Sequence, residues 1–402
     1  MRRWLTIAPV LLAGACTQAV EYKVTVKAGK HHRVDTPVSI VLAVPDNMAT
    51  ATGTATCGDL TVPVQVAKFG TATARAWWVV PDLLAGQSKT FTLKIGPGAC
   101  PASTKVFKWT DSSEGKIKSM DLLFGDRPVL RYMYTPFDRR NMELTKKPFH
   151  NVFAPDGSRL ITQSVGGKKY PHHRGIYFGY NKCTVDGGTY DVWHAHKGEH
   201  QVHTKVILEV TGPVVGGHVV QIHWNDRKGK PFVEETRSLF AYRQSAGNLL
   251  IEFTSTLKPT RGPVKLGGDR QHAGAQFRAH GAVAQNEKAT RYLRPTRWAQ
   301  LAPDKQYNTP EHKDLPWNAI QFSLGDQGYT VGYLTDPKNP ANAGFSERLY
   351  GRFGEFFPWD LRQDNPLNVR YRWWISATRS VKREQVEQRY QDLADAPELT
   401  LE

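Results

Sequence analysis

Alternation of apolar and polar residues with a period of two runs through most of the chain. Stretches such as Tyr22-Lys23-Val24-Thr25-Val26 and Thr90-Phe91-Thr92-Leu93-Lys94-Ile95 send one side chain to a core and the next to water, which is the mark of half-buried strands. Turn residues interrupt these stretches at short intervals between positions 21 and 98. Pro37, Pro45, Pro63 and Pro81 fall where a strand end or edge tolerates a missing N–H. The pattern predicts a small β-sandwich over residues 16–103, ending in a linker that holds Gly96, Pro97, Gly98 and Pro101.

Over residues 104–379 the alternating stretches lengthen and come as hairpins. Val219-Val220-Gln221-Ile222-His223-Trp224 is followed by a turn at 225–230 and by strands over 232–242 and 249–257. Consecutive long antiparallel strands suit a large sheet packed on another, with one face free to carry a site. Helical spacing occurs once, where Val381, Val386, Tyr390 and Leu393 recur behind Ser380 as a candidate cap, so residues 380–402 read as a helix and tail. The chain is therefore expected to be all-β, with one short C-terminal helix.

At the N-terminus, Arg2 and Arg3 precede an apolar run over residues 4–13, then Gly14, Ala15 and Cys16. This is the form of a signal peptide over residues 1–15. The run falls short of the roughly 20 residues that a bilayer requires, and no later stretch reaches that length. Small residues before Cys16 resemble a lipobox, which makes Cys16 the lipidated first residue of a periplasmic or outer-membrane-associated lipoprotein. Ala13-Gly14-Ala15 also fits an A-x-A site for ordinary secretion, and Arg2-Arg3 allows twin-arginine export. Contact with a membrane is expected only through the anchor at Cys16.

Charge narrows the partners. The formal net charge of +16 becomes +14 once Arg2 and Arg3 leave, and a basic exported protein is drawn to anionic surfaces or acidic glycans. Lys and Arg are scattered among acidic residues rather than gathered in a run or binding motif, which excludes nucleic acid as the expected partner. With Cys16 acylated, Cys57 and Cys100 are placed to pair in an oxidising compartment, leaving Cys183 as a buried thiol.

Candidate chemistry gathers in four clusters: Tyr170-Pro171-His172-His173-Arg174-Gly175; Asp191-Val192-Trp193-His194-Ala195-His196, continuing to Glu199, His200 and His203; Gly268-Asp269-Arg270-Gln271-His272-Ala273-Gly274 with Arg278; and the aromatic segment 348–360 with Tyr350, Arg352, Glu355, Trp359 and Asp360. Six of the 14 histidines fall between His172 and His203, a density that filler would not need. Aromatic faces beside carboxylates and guanidinium groups suit a sugar ring, whose C–H faces stack while its hydroxyls take charged hydrogen bonds.

The HHRG run followed by Asp191, Trp193 and His194, and then by His272-Ala273-Gly274 and Arg278, resembles the bacterial PmoA-like proteins of unknown function. The family name borrows from a multi-span subunit of membrane methane monooxygenase; a chain without spans excludes methane oxidation. The resemblance implies a galactose-mutarotase-like β-supersandwich, a fold shared by sugar epimerases, glycosidases and polysaccharide lyases. It points to a carbohydrate, acidic glycans included, as substrate. Acid–base chemistry there needs a proton donor and an acceptor across the ring. His172 or His173 is expected as the donor and Glu199 or Glu355 as the base. Arg174, Asp191, Trp193, His194, His272, Arg278, Arg352 and Trp359 are expected to bind substrate, with no cofactor. Hydrolysis by two carboxylates would pair Glu355 with Asp191 or Asp360.

Two alternatives stay open. His194-x-His196, with Gly188 before it and Glu199 and His200 after it, is similar to the first cupin motif and would hold a divalent metal. A non-catalytic glycan-binding protein at the cell surface would also use the anchor and the basic charge.

Overall fold

The period-two pattern dictates where the side chains go, and the computed structural model, which describes residues 19–44, 51–68, 74–96, 101, 103–302 and 311–402, bears it out. All strand pairings are antiparallel among the described residues. Cys16 and Cys100, and with them the lipidation and the pairing of Cys100 with Cys57, lie outside the described residues. Cys183 is a buried thiol. No helix of the described residues is long and apolar enough to cross a membrane.

Two eight-stranded sheets form the body. One, the site sheet, runs in the order Gly344–Arg348, Arg352–Phe356, Ala273–Arg278, Ile176–Tyr180, Phe149–Val152, Arg127–Met133, Ser119–Phe124, Phe107–Asp111. The other contains the hairpins read from the sequence, observed as Val215–Asn225, Pro231–Tyr242 and Asn248–Pro259. The inner faces of both share one apolar core: Phe178, Phe277 and Phe353 from the site sheet meet Trp224, Phe253, Tyr333 and Trp373 from its partner. This is the expected sheet-on-sheet packing. A four-stranded sheet of Gly188–Tyr190, Lys182–Val185, Val264–Gly267 and Trp359–Leu361 extends one end.

Two polar pairs are buried between the sheets. Glu235 and Arg237, both fully buried, form a two-pronged ion pair at 2.7 and 2.9 Å, and Trp224 and Ser255 each donate to the same carboxylate at 2.9 Å. Such a pair holds only because every charge is matched; removing one partner costs about 3–5 kcal/mol. Nearby, His150 of the site sheet and His218 of the partner sheet bridge the two layers through their Nε2 atoms, 2.8 Å apart and fully buried.

The first six strands, joined by Glu398–Leu401, differ in detail from expectation. They form one hydrogen-bonded sheet around a core of Val24, Val38, Val64, Trp78, Phe91 and Leu93. Its edge strand is Glu398–Leu401, from the segment read as a tail, which pairs with Val20–Lys27. The helix spans Arg383–Ala394 rather than starting at Ser380. Thr378 Oγ1 accepts the Ser380 N–H at 3.1 Å, and the chain enters the helix only after Lys382, whose N–H is taken by the Gln385 side chain at 2.9 Å.

Candidate functional site

Two glycines fix the backbone of the site. Gly175, which closes the HHRG run, has φ +42°, and a Cβ there would lie 2.0 Å from the carbonyl oxygen of His150 on the neighbouring strand. Gly274, which closes His272-Ala273-Gly274, has φ +81° and leaves 1.9 Å to the carbonyl oxygen of Glu355. Neither position admits a side chain. Both motifs therefore deliver their histidines at the entrance of a strand pressed against its neighbour.

Lys147 ties the loops together. Its buried Nζ donates to the carbonyls of His172 at 2.7 Å and Trp193 at 2.5 Å, and it lies 4.0 Å from the centre of the Tyr177 ring. Arg174 is likewise a clamp: Nε donates to Pro171 O at 3.0 Å, and the guanidinium reaches the Glu143 carboxylate at 2.5 Å and the Glu143 carbonyl.

On the outer face of the site sheet, three separate segments bring their imidazoles together. Ring centres lie 4.3 Å apart for His172 and His173, 4.7 Å for His172 and His194, 4.5 Å for His194 and His272, and 5.4 Å for His173 and His272. The potential ligand atoms of His172, His173 and His272 all fall within 4.8 Å of one another. Exposed Tyr170 packs on buried Tyr350 at 4.6 Å, and Arg278 lies 4.9 Å from the Tyr350 ring centre while donating to the Tyr350 and Ala279 carbonyls.

Two of the four histidines are built alike. In Asp191-x-x-His194, Asp191 Oδ1 accepts the backbone N–H of Trp193 at 3.0 Å and of His194 at 2.8 Å, and Oδ2 accepts from the His194 ring Nδ1 at 2.7 Å. In Asp269-x-x-His272, Oδ1 accepts the N–H of Gln271 at 2.8 Å and of His272 at 3.1 Å, and the ring Nδ1 donates to the same carboxylate at 3.0 Å. An ionised carboxylate only accepts, so Nδ1 of each ring carries a proton, and in the neutral tautomer this selects the lone pair lies on Nε2. The carboxylates are held below their usual range: burial alone would raise Asp191 and Asp269, and hydrogen bonds led by the paired histidine outweigh it.

His172 and His173 behave differently. Burial, reinforced by Lys147, pushes His172 down to about 2, and burial with Arg352 holds His173 well below the usual imidazole range. Both are neutral at pH 7. This corrects their expected role as proton donor, because a neutral imidazole there offers a lone pair instead. His172 Nε2 and His173 Nδ1 are buried with no hydrogen-bond partner among the described residues.

The remaining expected residues do not join them. Along Arg352–Phe356 the side chains alternate, and Glu355 shares the inward parity of Phe353, so it sits between the sheets, beside Thr335 at 3.1 Å, on the opposite face from the imidazoles. Burial pushes its carboxyl up to about 7. Glu199 is buried, accepting the Asp191 N–H and pairing with Arg227 at 3.3 Å. Arg352 is committed to Gln276 and Ser346. Trp193 is buried against Tyr177, and Trp359 and Asp360 belong to the four-stranded sheet. The set expected for a metal separates as well: His196 is exposed, and His200 stacks on Phe137 at 3.7 Å with its ring nitrogens engaged by Gly198 O and Asn225. A base role for Glu355 or Glu199 and metal ligation by His200 are thus corrected by strand parity and prior partners. Lys147 was missed, and Tyr170 and Asp269, though inside the candidate clusters, were assigned no role. A second D-x-x-H beside the first was the available signal for Asp269.

A family model described as a family of unknown function, DUF6807, matches residues 119–391. The chain belongs to that family. The DUF6807 match spans all four imidazoles and both aspartates, and leaves out the strands from Val20–Lys27 to Ser88–Ile95. Membership of a family of unknown function agrees with the sequence reading, whereas the PmoA-like name finds no support. No curated protein matches the chain. Among solved structures, the GalM/aldose epimerase homologue from C. elegans is similar at 9% identity with a TM-score of 0.31, covering 68% of this chain and 99% of that one.

Glu355→Gln provides a direct check of the face assignment. Its expected outcome is a rate within about twofold of wild type, since surface-distant substitutions leave transition-state contacts intact. A loss of a hundredfold or more in steady-state assays would return Glu355 to the site.

Proposed function

We propose that the protein is an exported carbohydrate-processing enzyme whose outer-face imidazole cleft transfers protons at a sugar ring. The observation that carries the reading is the convergence of His172, His173, His194 and His272 from three segments beside exposed Tyr170. The signal-like N-terminus ending at Cys16 supports export, as a periplasmic or outer-membrane-associated lipoprotein. Tyr170 offers a ring face to the C–H face of a sugar. Proton handling falls to the Asp191–His194 dyad, in which the carboxylate stabilises an imidazolium as Nε2 takes up a proton. Arg278 adds positive charge for a carboxylate-bearing sugar. Epimerisation or elimination fits this arrangement better than two-carboxylate hydrolysis, because Glu355 faces the core, Asp360 lies in another sheet and Asp191 is bound to His194.

The test is turnover of a panel of reducing sugars and uronate-containing glycans, followed by NMR and mass analysis of products. Wild type is expected to convert at least one member. Tyr170 has φ +55°, so Tyr170→Asn removes the ring while keeping a backbone that Asn tolerates. Its expected effect is a roughly three- to tenfold rise in KM with little change in kcat. A well-folded wild type that converts none of the panel overturns the reading.

A further inference from the structure

We infer that His172, His173 and His272 form a binding site for a first-row divalent metal ion of the zinc class, a role that rests on the cleft being the functional site. Three independent features carry the inference. First, one ligand atom from each ring lies within 4.8 Å of the other two, so small ring rotations bring all three to the roughly 2.0–2.1 Å that a zinc–imidazole bond requires. Second, His173 is only 2% exposed, yet its Nδ1 has no partner among the described residues, and neither has the buried Nε2 of His172. An unsatisfied buried ring nitrogen is costly unless something binds it. Third, His272 is held as a metal-bound histidine is commonly held: its Nδ1–H points at Asp269, and Asp269 is itself fixed by Asn181 Nδ2 at 2.8 Å and by two backbone N–H groups. That carboxylate fixes the tautomer which leaves Nε2 free to ligate.

Three imidazoles leave a fourth position open, as in catalytic rather than structural sites. A sugar hydroxyl or carboxylate oxygen is the group that would occupy it. His194 stands next to this set, its ring 4.7 Å from His172 and 4.5 Å from His272, and with Asp191 it remains the proton-handling dyad. The assignment thus moves the metal from the His194, His196, Glu199 and His200 set to one drawn from two other motifs. It also gives a reason for the twin histidines of HHRG: adjacent residues reach one centre because the chain turns sharply at Tyr170 and again at Gly175.

The experiment is titration of tag-free, chelator-dialysed full-length protein with Zn²⁺ by calorimetry, and with Co²⁺ by visible absorption. The expected result is one site per chain. His272→Ala and His172→Ala should each weaken Zn²⁺ binding at least about a hundredfold, and Asp269→Asn about 10–100-fold. His200→Ala should leave affinity within about threefold. His173→Ala is read only if its thermal transition matches wild type; the half-buried His172 and His272 keep the test decisive if it does not. Absence of a site in wild type, or equal affinity in the His272→Ala and His172→Ala proteins, overturns the inference. The two readings separate cleanly. Stoichiometric Zn²⁺ binding without sugar turnover sinks the carbohydrate reading alone, and full turnover by protein that binds no Zn²⁺ sinks the metal inference alone.

Discussion

His194→Ala is expected to lower kcat by a factor of about 10²–10⁴, the usual contribution of a positioned acid–base group, with KM changed far less. Asp191 takes the Nδ1 proton of His194 at 2.7 Å and is pinned by two backbone N–H groups, so the ring cannot turn and its Nε2 faces the other imidazoles. Asp191→Asn keeps the shape but removes the charge that stabilises an imidazolium, and should cost less, about 10–10²-fold, all of it in kcat. A purely structural Asp191 would instead lower the melting temperature and leave kcat of the folded fraction unchanged. Steady-state kinetics alongside thermal melting of both variants distinguishes these outcomes. Wild-type rates in His194→Ala would remove the dyad from the chemistry.

Acid is expected to pull the two large sheets apart, and the His150–His218 bridge is the reason. Both rings are fully buried and share one Nε2···Nε2 hydrogen bond, so one donates, the other accepts, and both are neutral. Burial pushes His218 from the ordinary 6.5 to about 3 and His150 well below 6.5. In the unfolded chain the same rings take up protons near 6.5, so between about 6.5 and 3 the unfolded state binds more protons than the native one. Stability is therefore undiminished above about pH 6.5 and falls as pH falls, by about 1.4 kcal/mol per pH unit for each ring. Glu355 contributes the opposite slope: its raised carboxyl favours the native state below the ordinary 4.5, and that stability is lost as pH rises through about 7. The readout is accordingly a difference between proteins. Urea unfolding at about pH 7 and about pH 4.5 should show wild type losing roughly 3–5 kcal/mol more than a His150→Gln, His218→Gln double variant, whose amides keep a hydrogen bond but bind no proton. Equal losses in the two proteins would clear the bridge of responsibility.

Much of the body was legible because period-two alternation is a local signal. The hairpins from Val215–Asn225 to Asn248–Pro259 follow their apolar parity almost residue by residue. Glu398–Leu401 was not legible: Glu-Leu-Thr-Leu alternates, but four residues are too short a run to stand out, and their strand exists because Val20–Lys27 offers an edge. In the site, the histidine motifs stood out by composition, and their glycines are explained by backbone contacts that no sequence displays. Glu355 misled because carboxylates beside aromatics suggest a cleft, although its parity with Phe353 already pointed inward. Lys147 was invisible for a different reason: beside Lys146 it looks like a solvated pair, and only the fold reveals that both are buried and that Lys147 clamps the loops above it.

The edge pairing of Val20–Lys27 with Glu398–Leu401 has a consequence for the order of events during synthesis. Val24 lies opposite Leu401, so the strand Val20–Lys27 waits for Glu398–Leu401 before its ladder is complete. Contacts this distant in sequence are the slowest to form. Until Glu398–Leu401 has been made, the first sheet therefore has a bare edge of unpaired N–H and C=O groups, the kind of surface that recruits other chains. Arg33, whose guanidinium reaches Asp392 and the Asp395 carbonyl, closes the same gap from the side. The pairing thus acts as a clasp, with Glu398–Leu401 shutting the sheet that Val20–Lys27 opens.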